Sequence, residues 1–341
     1  MNFQHHTKHF VQLGAFFKQQ VETDSSVFTQ AYVRNNWFTV DYIKKALLAW
    51  SSELKPDNLT QWLQPYFVNT TTFAPKQVAI IMAGNIPLVG LHDLLCVLAS
   101  GHQALVKLSS DDEVLMKWVI ETLQEMNPEY VQQIQIIDSR LPKTFDAVIA
   151  TGSNNTNRYF EYYFKGKPAL LRKSRNSVAV ITGNETDAQM QRLADDVFMY
   201  FGLGCRNVSK LYLPEGYDMK HFYENCNAYR HHMDHHKYAN NYTYHRALFL
   251  MNMAAHLDNN FLLLKEDKQI ASPLGVLYYE YYKNLDEVND ALVAQSDLIQ
   301  CVVSEVTLKV ETVPFGMAQY PAIHTYADGV DTMKFLMQLG R

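Results

Sequence analysis

The sequence predicts an α/β fold in which parallel sheets are covered by helices. Short apolar segments alternate with helical segments along much of the chain, which is the pattern of repeated β-α-β units. The segments at residues 77–82 and 178–181 are β-branched or otherwise apolar, as expected of strands buried on both faces. With 341 residues, the chain is long enough to form two such domains.

The order of the elements follows from periodicity and turn residues. The first 70 or so residues are predicted to be helical, because Phe10, Leu13 and Phe17 recur at helical spacing. In the first α/β block we predict strands at 77–82, 103–108, 134–137 and 146–150, and helices at 87–100, 111–126 and 155–164. In the second block we predict strands at 178–181, 208–213, 261–264, 276–279 and 299–303, and a helix at 187–201.

Composition excludes several classes of protein. A net charge of −5 gives no general attraction for nucleic acid. The apolar stretch at 78–106 is interrupted by Gly, Asn and Pro, so we expect no membrane span there. The amino-terminal residues lack the apolar core of a secretory signal, and the expected location is cytoplasmic. The cysteines are far apart, which argues against a disulfide framework or a thiolate zinc site: Cys96, Cys205, Cys226 and Cys301.

Cys205 is the candidate nucleophile. It lies in residues 201–207 (Phe-Gly-Leu-Gly-Cys-Arg-Asn), after a predicted helix and before a predicted strand. Glycines allow a close approach of the backbone to a ligand, and Arg206 could favour the thiolate. The alternative is a buried structural cysteine, which is the commoner role of this residue type. Cys96 lies in an apolar helical segment and is predicted to be core.

An ordered set of short motifs accompanies this cysteine. They are Ala-Gly-Asn-Ile-Pro at 83–87, Leu-Val-Lys-Leu-Ser-Ser at 105–110, Ala-Thr-Gly-Ser at 150–153, Leu-Arg-Lys-Ser-Arg-Asn-Ser at 171–177 and Val-Pro-Phe-Gly at 313–316. In this order they resemble the motifs of the aldehyde dehydrogenase superfamily. The closest branch is the long-chain acyl-CoA reductase family, which includes the fatty-acid reductase component of bacterial bioluminescence.

The resemblance implies an aldehyde-dehydrogenase-like fold with two Rossmann-like parallel-sheet domains and an interdomain active-site cleft. The cofactor-binding domain is expected to comprise residues 1–176 and 312–341, including the amino-terminal helices. The catalytic domain, which carries the cysteine, is expected to comprise residues 177–311.

The resemblance also assigns catalytic roles. Cys205 would form an acyl-enzyme, and the Asn85 side chain would donate to the developing oxyanion; the alternative is that Asn85 only caps the following helix. Ala169 stands where the hydrolytic relatives have a water-activating glutamate, and no carboxylate occurs between Glu161 and Glu185. Hydrolysis of the thioester should therefore be slow, so that reduction can compete with it.

The predicted cofactor site comprises Lys107, Ser110, Thr151, Gly152 and Ser153. Lys107 would bind ribose or phosphate. Without the resemblance, it would be interpreted as an ordinary surface lysine. The Thr-Gly-Ser segment opens a helix and would cradle a phosphate, although it also suits a plain helix start.

Ser110 bears on the choice of cofactor. NAD-using relatives often have a glutamate there, which accepts bonds from a free 2′-hydroxyl and repels a 2′-phosphate. The absence of this glutamate favours NADP(H). NAD(H) is the alternative, because the carboxylates of Asp111 and Asp112 are close in sequence. The glutamate that holds the nicotinamide ribose in relatives is also absent from residues 271–276.

Two further clusters of basic residues and histidines stand out in the sequence. The basic residues at 165–175 either attract phosphates of a cofactor or coenzyme A, or form a solvated loop. The histidines have i, i+4 spacing if helical, but no third ligand is evident, so a solvated face is predicted and no metal: His231, His232, His235 and His236.

The predicted function is reduction of a long-chain acyl-CoA to the aldehyde. Alternatives are another acyl donor such as an acyl phosphate, oxidation of a free aldehyde, or a non-redox acyl-transfer or binding partner with an acylatable cysteine. The expected partner is the acyl-CoA substrate, with no nucleic acid. The sequence is compatible with a homo-oligomer.

Overall fold

The protein is an α/β protein made of two compact units. A computed structural model describes residues 3–67, 74–137 and 144–339. The units are Met1–Ser174 with Ala322–Arg341, and Arg175–Pro321. Parts of the predicted first domain lie outside the described residues, namely 1–2, 68–73, 138–143 and 340–341. In the described part of the chain, no helix is both long and apolar enough to cross a membrane.

The first unit contains a parallel sheet of five strands. The strands are β1 (Gln77–Ile81), β2 (Gln103–Lys107), β3 (Ile134–Ile136), β4 (Ala147–Thr151) and β5 (Ala169–Arg172). The helices are α1 (Phe3–Glu22), α2 (Ser26–Arg34), α3 (Val40–Glu53), α4 (Pro56–Phe67), α5 (Leu91–Ala99), α6 (Glu113–Met126), α7 (Glu129–Gln133) and α8 (Asn154–Tyr163). The strand order is β3-β2-β1-β4-β5, and all the pairs are parallel. The direction of winding therefore reverses at β1, a place where open α/β sheets bind ligands.

Hydrophobic burial explains this unit. The central residues of β1 and β2 are buried, as predicted from their unbroken apolar character. Helix α5 is apolar on nearly all sides and is correspondingly buried. In the amino-terminal helices, Phe10, Leu13 and Phe17 are fully buried in the same core.

The second unit contains a seven-stranded sheet. Its strands are β6 (Asn176–Val180), β7 (Val208–Pro214), β8 (Leu257–Asp258), β9 (Leu263–Glu266), β10 (Val276–Tyr282), β11 (Ile299–Ser304) and β12 (Thr312–Val313). Its α-helices are α9 (Asp187–Phe198), α10 (Met219–Asn225), α11 (His236–Met251) and α12 (Leu285–Ala294). The order is β12-β11-β6-β7-β10-β9-β8, with β8 antiparallel to β9 and the other pairs parallel.

The carboxyl-terminal stretch is divided between the units. Residues 312–321, predicted to join the first domain, belong to the second unit because β12 pairs with β11. Residues 322–339 return to the first unit, where the Ile323 N–H donates to Glu53 Oε2 at 2.8 Å. They end in helix α13 (Thr332–Gln338).

Candidate active site

The predicted cofactor residues lie at one edge of the five-stranded sheet. Lys107 ends β2, Thr151 ends β4, and the loop that carries Asn85 follows β1 between them. The register pairs Ile81 with Lys107 and with Ala150, so the three strands end at the same level. Because the strands are parallel, their carboxyl ends form one edge at the point where the winding reverses.

The start of helix α8 provides backbone donors at this edge. The Ser153 side chain caps the helix by accepting from the Thr156 N–H at 3.2 Å. The Asn157 amide, almost fully buried, donates to the carbonyls of Gly152 at 2.8 Å and Arg172 at 2.7 Å. A Cβ at Gly152 would lie 3.1 Å from Thr156, so glycine permits this close contact of strand end and helix. The arrangement suits an anion, because a helix amino terminus carries partial positive charge.

The Asn85 loop is fixed by Asp112. Asn85 is exposed, whereas Leu88 is buried and has a left-handed φ of 59°. The Leu88 N–H donates to Asp112 Oδ2 at 2.8 Å, and burial raises the pKa of Asp112 well above its ordinary value. A Cβ at Gly84 would come within 2.5 Å of Ser109 Oγ, so this loop and the Lys107–Asp112 segment are packed together. Asp112 therefore holds the loop. Asp112 is buried, whereas Asp111 and Ser110 are exposed.

Cys205 lies in the second unit, in a tight turn before β7. The Asn207 N–H donates to the Gly204 carbonyl at 3.0 Å, which places Cys205 at the second position of a β-turn. The Cys205 side chain is exposed. The Ser177 hydroxyl at the start of β6 donates to the Cys205 carbonyl at 3.1 Å, so the turn is anchored to the neighbouring strand.

The other three cysteines have different surroundings. Cys96 and Cys226 are fully buried, and burial raises the pKa of both thiols. Cys301 is partly buried, its Sγ lies 3.1 Å from Ser177 Oγ, and burial raises its pKa as well. All four cysteines are described, and Cys205 is the exposed one.

A buried carboxylate fastens the Val-Pro-Phe-Gly segment near the same turn. Asp196 accepts from the N–H groups of Gly316 at 2.6 Å and Ala318 at 2.9 Å. The Arg206 guanidinium donates to the Ala318 carbonyl. Burial raises the pKa of Asp196 to about 7. Arg206, which follows Cys205, is thus bonded to the same segment as Asp196.

The basic residues at 165–175 lie in different surroundings. Arg172 is buried and forms an ion pair with Asp93 at 2.5 Å, and it also donates to Thr332 Oγ1 at 2.8 Å. Lys173 pairs with Glu161 at 3.0 Å. The interpretation as a common attraction for phosphates was wrong for Arg172, whose guanidinium is enclosed by the core.

The predicted solvated histidine face was wrong for His232, which is buried, whereas His231 and His236 are exposed. Residues 227–234 form a 3₁₀-helix that ends before α11, so the histidines do not share one continuous α-helix. His232 is buried, and the centroid of its ring lies 4.5 Å from that of the Phe201 ring. The centroid of the His235 ring also lies 4.5 Å from that of Phe201. Among the described residues, no group of His, Cys, Asp or Glu is arranged to bind a metal ion.

His92 lies in the core of the first unit. Its Nε2 is 2.8 Å from the Ile323 carbonyl, and its ring packs on Trp62 and Tyr326. Burial lowers the pKa of this imidazole. These contacts give His92 a role in the core.

The predicted site residues are divided between the two units. Asn85 belongs to the first unit together with the predicted cofactor residues Lys107, Ser110, Thr151, Gly152 and Ser153. Cys205 belongs to the second unit. The sequence did not indicate the structural roles of Asp112, Asp196 and Asn207. Each of these side chains bonds to backbone groups of other segments, and no local sequence pattern predicts such contacts.

The fold is that of aldehyde dehydrogenases. Aldehyde dehydrogenase 21 from Physcomitrella patens, in complex with the reaction product succinate, matches with a TM-score of 0.69 and 12% identity, covering 100% of this chain and 85% of that chain. A Mycobacterium tuberculosis aldehyde dehydrogenase complexed with NAD+ matches with a TM-score of 0.69 and 12% identity, covering 99% and 84%. An oxidoreductase from Marinobacter aquaeolei matches with a TM-score of 0.67 and 11% identity, covering 89% and 73%. At such low identity these similarities establish the fold alone.

The sequence itself identifies the family. None of the curated proteins matches this chain. The family model for acyl-CoA reductase (LuxC) matches residues 31–235, which is more than half of the chain and includes Cys205 and Asn85. The protein therefore belongs to the acyl-CoA reductase (LuxC) family, within the aldehyde-dehydrogenase-like oxidoreductases.

Proposed function

We propose that the protein reduces a long-chain fatty acyl-CoA thioester to the aldehyde through an acyl-enzyme on Cys205, with NADPH as the reductant. The observation that supports this most directly is the exposure of Cys205 on a glycine-flanked turn, while Cys96 and Cys226 are fully buried. A nucleophilic thiol must be accessible to its substrate, and burial suppresses the thiolate form.

In the proposed reaction, the Cys205 thiolate attacks the carbonyl carbon of the acyl-CoA. A new carbon–sulfur bond forms, and the negative charge moves to the carbonyl oxygen, to which the Asn85 side chain donates. When the oxyanion collapses, the bond to coenzyme A breaks, and its sulfur leaves as a thiolate that takes up a proton. The acyl group remains on Cys205 as a thioester.

The acyl-enzyme must then survive until it is reduced. The carboxylates that flank the 162–184 interval are both engaged: Glu185 accepts from the Thr182 N–H at 2.6 Å and the Gly183 N–H at 2.9 Å. Glu161 pairs with Lys173. Glu185 is therefore held by the backbone of its own loop, which supports the inference that hydrolysis of the thioester is slow.

The first unit has features that fit a nicotinamide cofactor. The capped amino terminus of α8 offers backbone N–H groups to a phosphate, and Lys107 adds a positive charge at the same sheet edge. Thr151, Gly152 and Ser153 would hold the phosphates, and Lys107 with Ser110 the adenosine end. A bound nicotinamide supplies the hydride that the acyl group needs to become an aldehyde. The NAD+ complex of the similar M. tuberculosis enzyme supports a dinucleotide for this fold.

The preference for NADPH rests on the residues after β2. Ser110 is exposed and carries no charge that would repel a 2′-phosphate. Asp112 is buried and bound to the Leu88 N–H, so it is not a competitor for the ribose. Of the two aspartates after Ser110, Asp111 is the exposed one, and its carboxylate could repel the 2′-phosphate of NADPH.

The test uses acyl-CoA thioesters labelled in the acyl group, incubated with the protein with and without NADPH. We expect label to be retained on Cys205 without reductant and to be released as aldehyde when NADPH is added. A C205A variant should retain no label, and a C301A variant, which removes a neighbouring thiol, should behave like the wild type. Label on another residue would overturn the assignment. Release as free acid regardless of NADPH would overturn the reductase function, and retention of label without any release by NADPH would favour a non-redox acyl carrier.

A further inference from the structure

We infer that Asn207 is a positioning residue that holds the Cys205 turn in the geometry needed for acyl transfer. The inference rests on the proposed function, because it gives a role to a residue that acts through the proposed nucleophile. Asn207 itself is buried, and its hydrogen bonds go to the backbone around the turn.

The backbone before Cys205 has an unusual conformation that needs support. Helix α9 ends at Phe198, and Tyr200, Phe201 and Gly202 then follow with φ values of 53°, 58° and 80°. A left-handed φ is unfavourable at Tyr200 and Phe201, which carry a Cβ, whereas Gly202 adopts it without this penalty. Such strain persists only where surrounding contacts maintain it, and it often occurs at functional sites.

Asn207 supplies those contacts on both sides of the strained segment. Its Nδ2 donates to the carbonyls of Asp196 at 3.0 Å and Met199 at 2.9 Å, at the carboxyl end of α9. Its Oδ1 accepts from the Gly204 N–H at 2.8 Å, and its own N–H donates to the Gly204 carbonyl. One amide therefore joins the end of the helix to the turn that carries Cys205.

An asparagine is specifically suited to this position. Its amide combines an acceptor for the Gly204 N–H with donors for the helix carbonyls. Aspartate would keep the acceptor but would direct a carboxylate at the carbonyls of Asp196 and Met199. Alanine would remove both functions and leave buried backbone groups without these partners.

The position of the backbone matters because the thiol is exposed. Cys205 is exposed, and its backbone belongs to the turn, so the location of its sulfur depends on where the turn is held. A displacement of about 1 Å between reacting groups can lower a rate about 100-fold. Loss of the Asn207 contacts should therefore slow acyl transfer more than it weakens substrate binding.

The experiment compares N207A, N207D and wild type in single-turnover transfer of labelled acyl groups from saturated acyl-CoA thioesters of several chain lengths. We expect transfer to Cys205 to slow about 100-fold in N207A, with KM for acyl-CoA little changed. N207D should also be slow, because it keeps only the Gly204 contact. Hydrogen exchange of residues 199–207 should be faster in both variants, and this readout does not depend on activity.

Asn289 provides a matched control. It is a buried asparagine in the same unit, in helix α12, and its Oδ1 accepts from the Lys309 N–H at 2.7 Å. N289A should lose stability to a similar degree but transfer acyl groups at the wild-type rate.

The outcomes separate this inference from the function on which it rests. Acylation of wild type at Cys205 together with equal rates in N207A, or an equal loss in N289A, would overturn the positioning role alone. Absence of acyl transfer to Cys205 in wild type would overturn the proposed function and the positioning role together. If N207A does not fold, N207D must show both slower transfer and faster exchange, and wild-type behaviour of that variant would overturn the role.

Discussion

The carboxylate of Asp112 accepts a hydrogen bond from the backbone N–H of Leu88 at 2.8 Å, across 24 residues of sequence. Leu88 is fully buried and has a left-handed φ of 59°. The bond therefore connects the segment after β2 to the loop that presents Asn85. The loop for the proposed oxyanion donor and the segment for the proposed cofactor are parts of one packed structure in the first unit.

Replacement of Asp112 by alanine should destabilise this loop. The Leu88 N–H would be left buried without its acceptor, which costs about 1–3 kcal/mol. We expect the free energy of unfolding, measured with urea, to fall by about this amount. The exposed neighbour provides the control, since D111A should change it by only about 0.5 kcal/mol. Equal effects of the two substitutions would show that the Asp112–Leu88 bond has no special role.

Replacement of Asn85 by alanine should affect the chemical step. If the Asn85 amide donates to the oxyanion, its loss should reduce kcat by about 100- to 1,000-fold. NADPH affinity, measured by fluorescence titration, should remain close to that of the wild type. The alternative that Asn85 caps the following helix is wrong, because the N-cap of α5 is Gly90. Wild-type kcat in N85A would therefore show that the Asn85 amide does not donate to the oxyanion.

The extent to which sequence predicted this fold depends on how local each signal is. The strands β1 and β4 were identified because buried parallel strands are continuous apolar runs. Strand β5 (Ala169–Arg172) was missed, since four residues that include an arginine do not form such a run. The helix predicted to end at 201 ends at Phe198, because the residues that follow adopt left-handed φ values that no periodicity reveals.

The candidate site shows the same division. Cys205 was selected from its glycine-rich surroundings, and its exposure agrees with that choice. Arg172 was misread because its partner Asp93 lies 79 residues away, and sequence gives no sign that the pair is buried. His232 was misread because a 3₁₀-helix directs its ring onto Phe201. Such contacts between distant residues depend on the completed tertiary structure.

Introduction of glutamate at Ser110 should change the choice of cofactor. The new carboxylate would accept from a free ribose 2′-hydroxyl and would repel a 2′-phosphate. We expect S110E to lower affinity for NADPH and to raise affinity for NADH, as measured by fluorescence titration of both. S110T, which adds no charge, should keep the wild-type ratio of the two Kd values. An unchanged ratio in S110E would show that Ser110 does not face the adenosine ribose.

The buried carboxyl of Asp196 should make stability depend on pH. Burial raises its pKa from an ordinary value of 3.8 to about 7, while the N–H groups of Gly316 and Ala318 lower it only in part. Since the folded pKa lies above the unfolded one, ionisation is less favourable in the folded state. The contribution of Asp196 to the free energy of unfolding is therefore fully present below 3.8 and is lost as the pH rises through 7.

A D196N variant removes this titration. The free energy of unfolding of the wild type, measured relative to D196N by urea denaturation, should fall as the pH rises from about 4 to about 7, by an amount on the order of 4 kcal/mol. The exposed Asp297 offers a control, because D297N should follow the pH dependence of the wild type. A difference between wild type and D196N that stays constant over this range would mean that Asp196 keeps an ordinary pKa. In that case the carboxylate would hold the Gly316 and Ala318 N–H groups equally well at all pH values in this range.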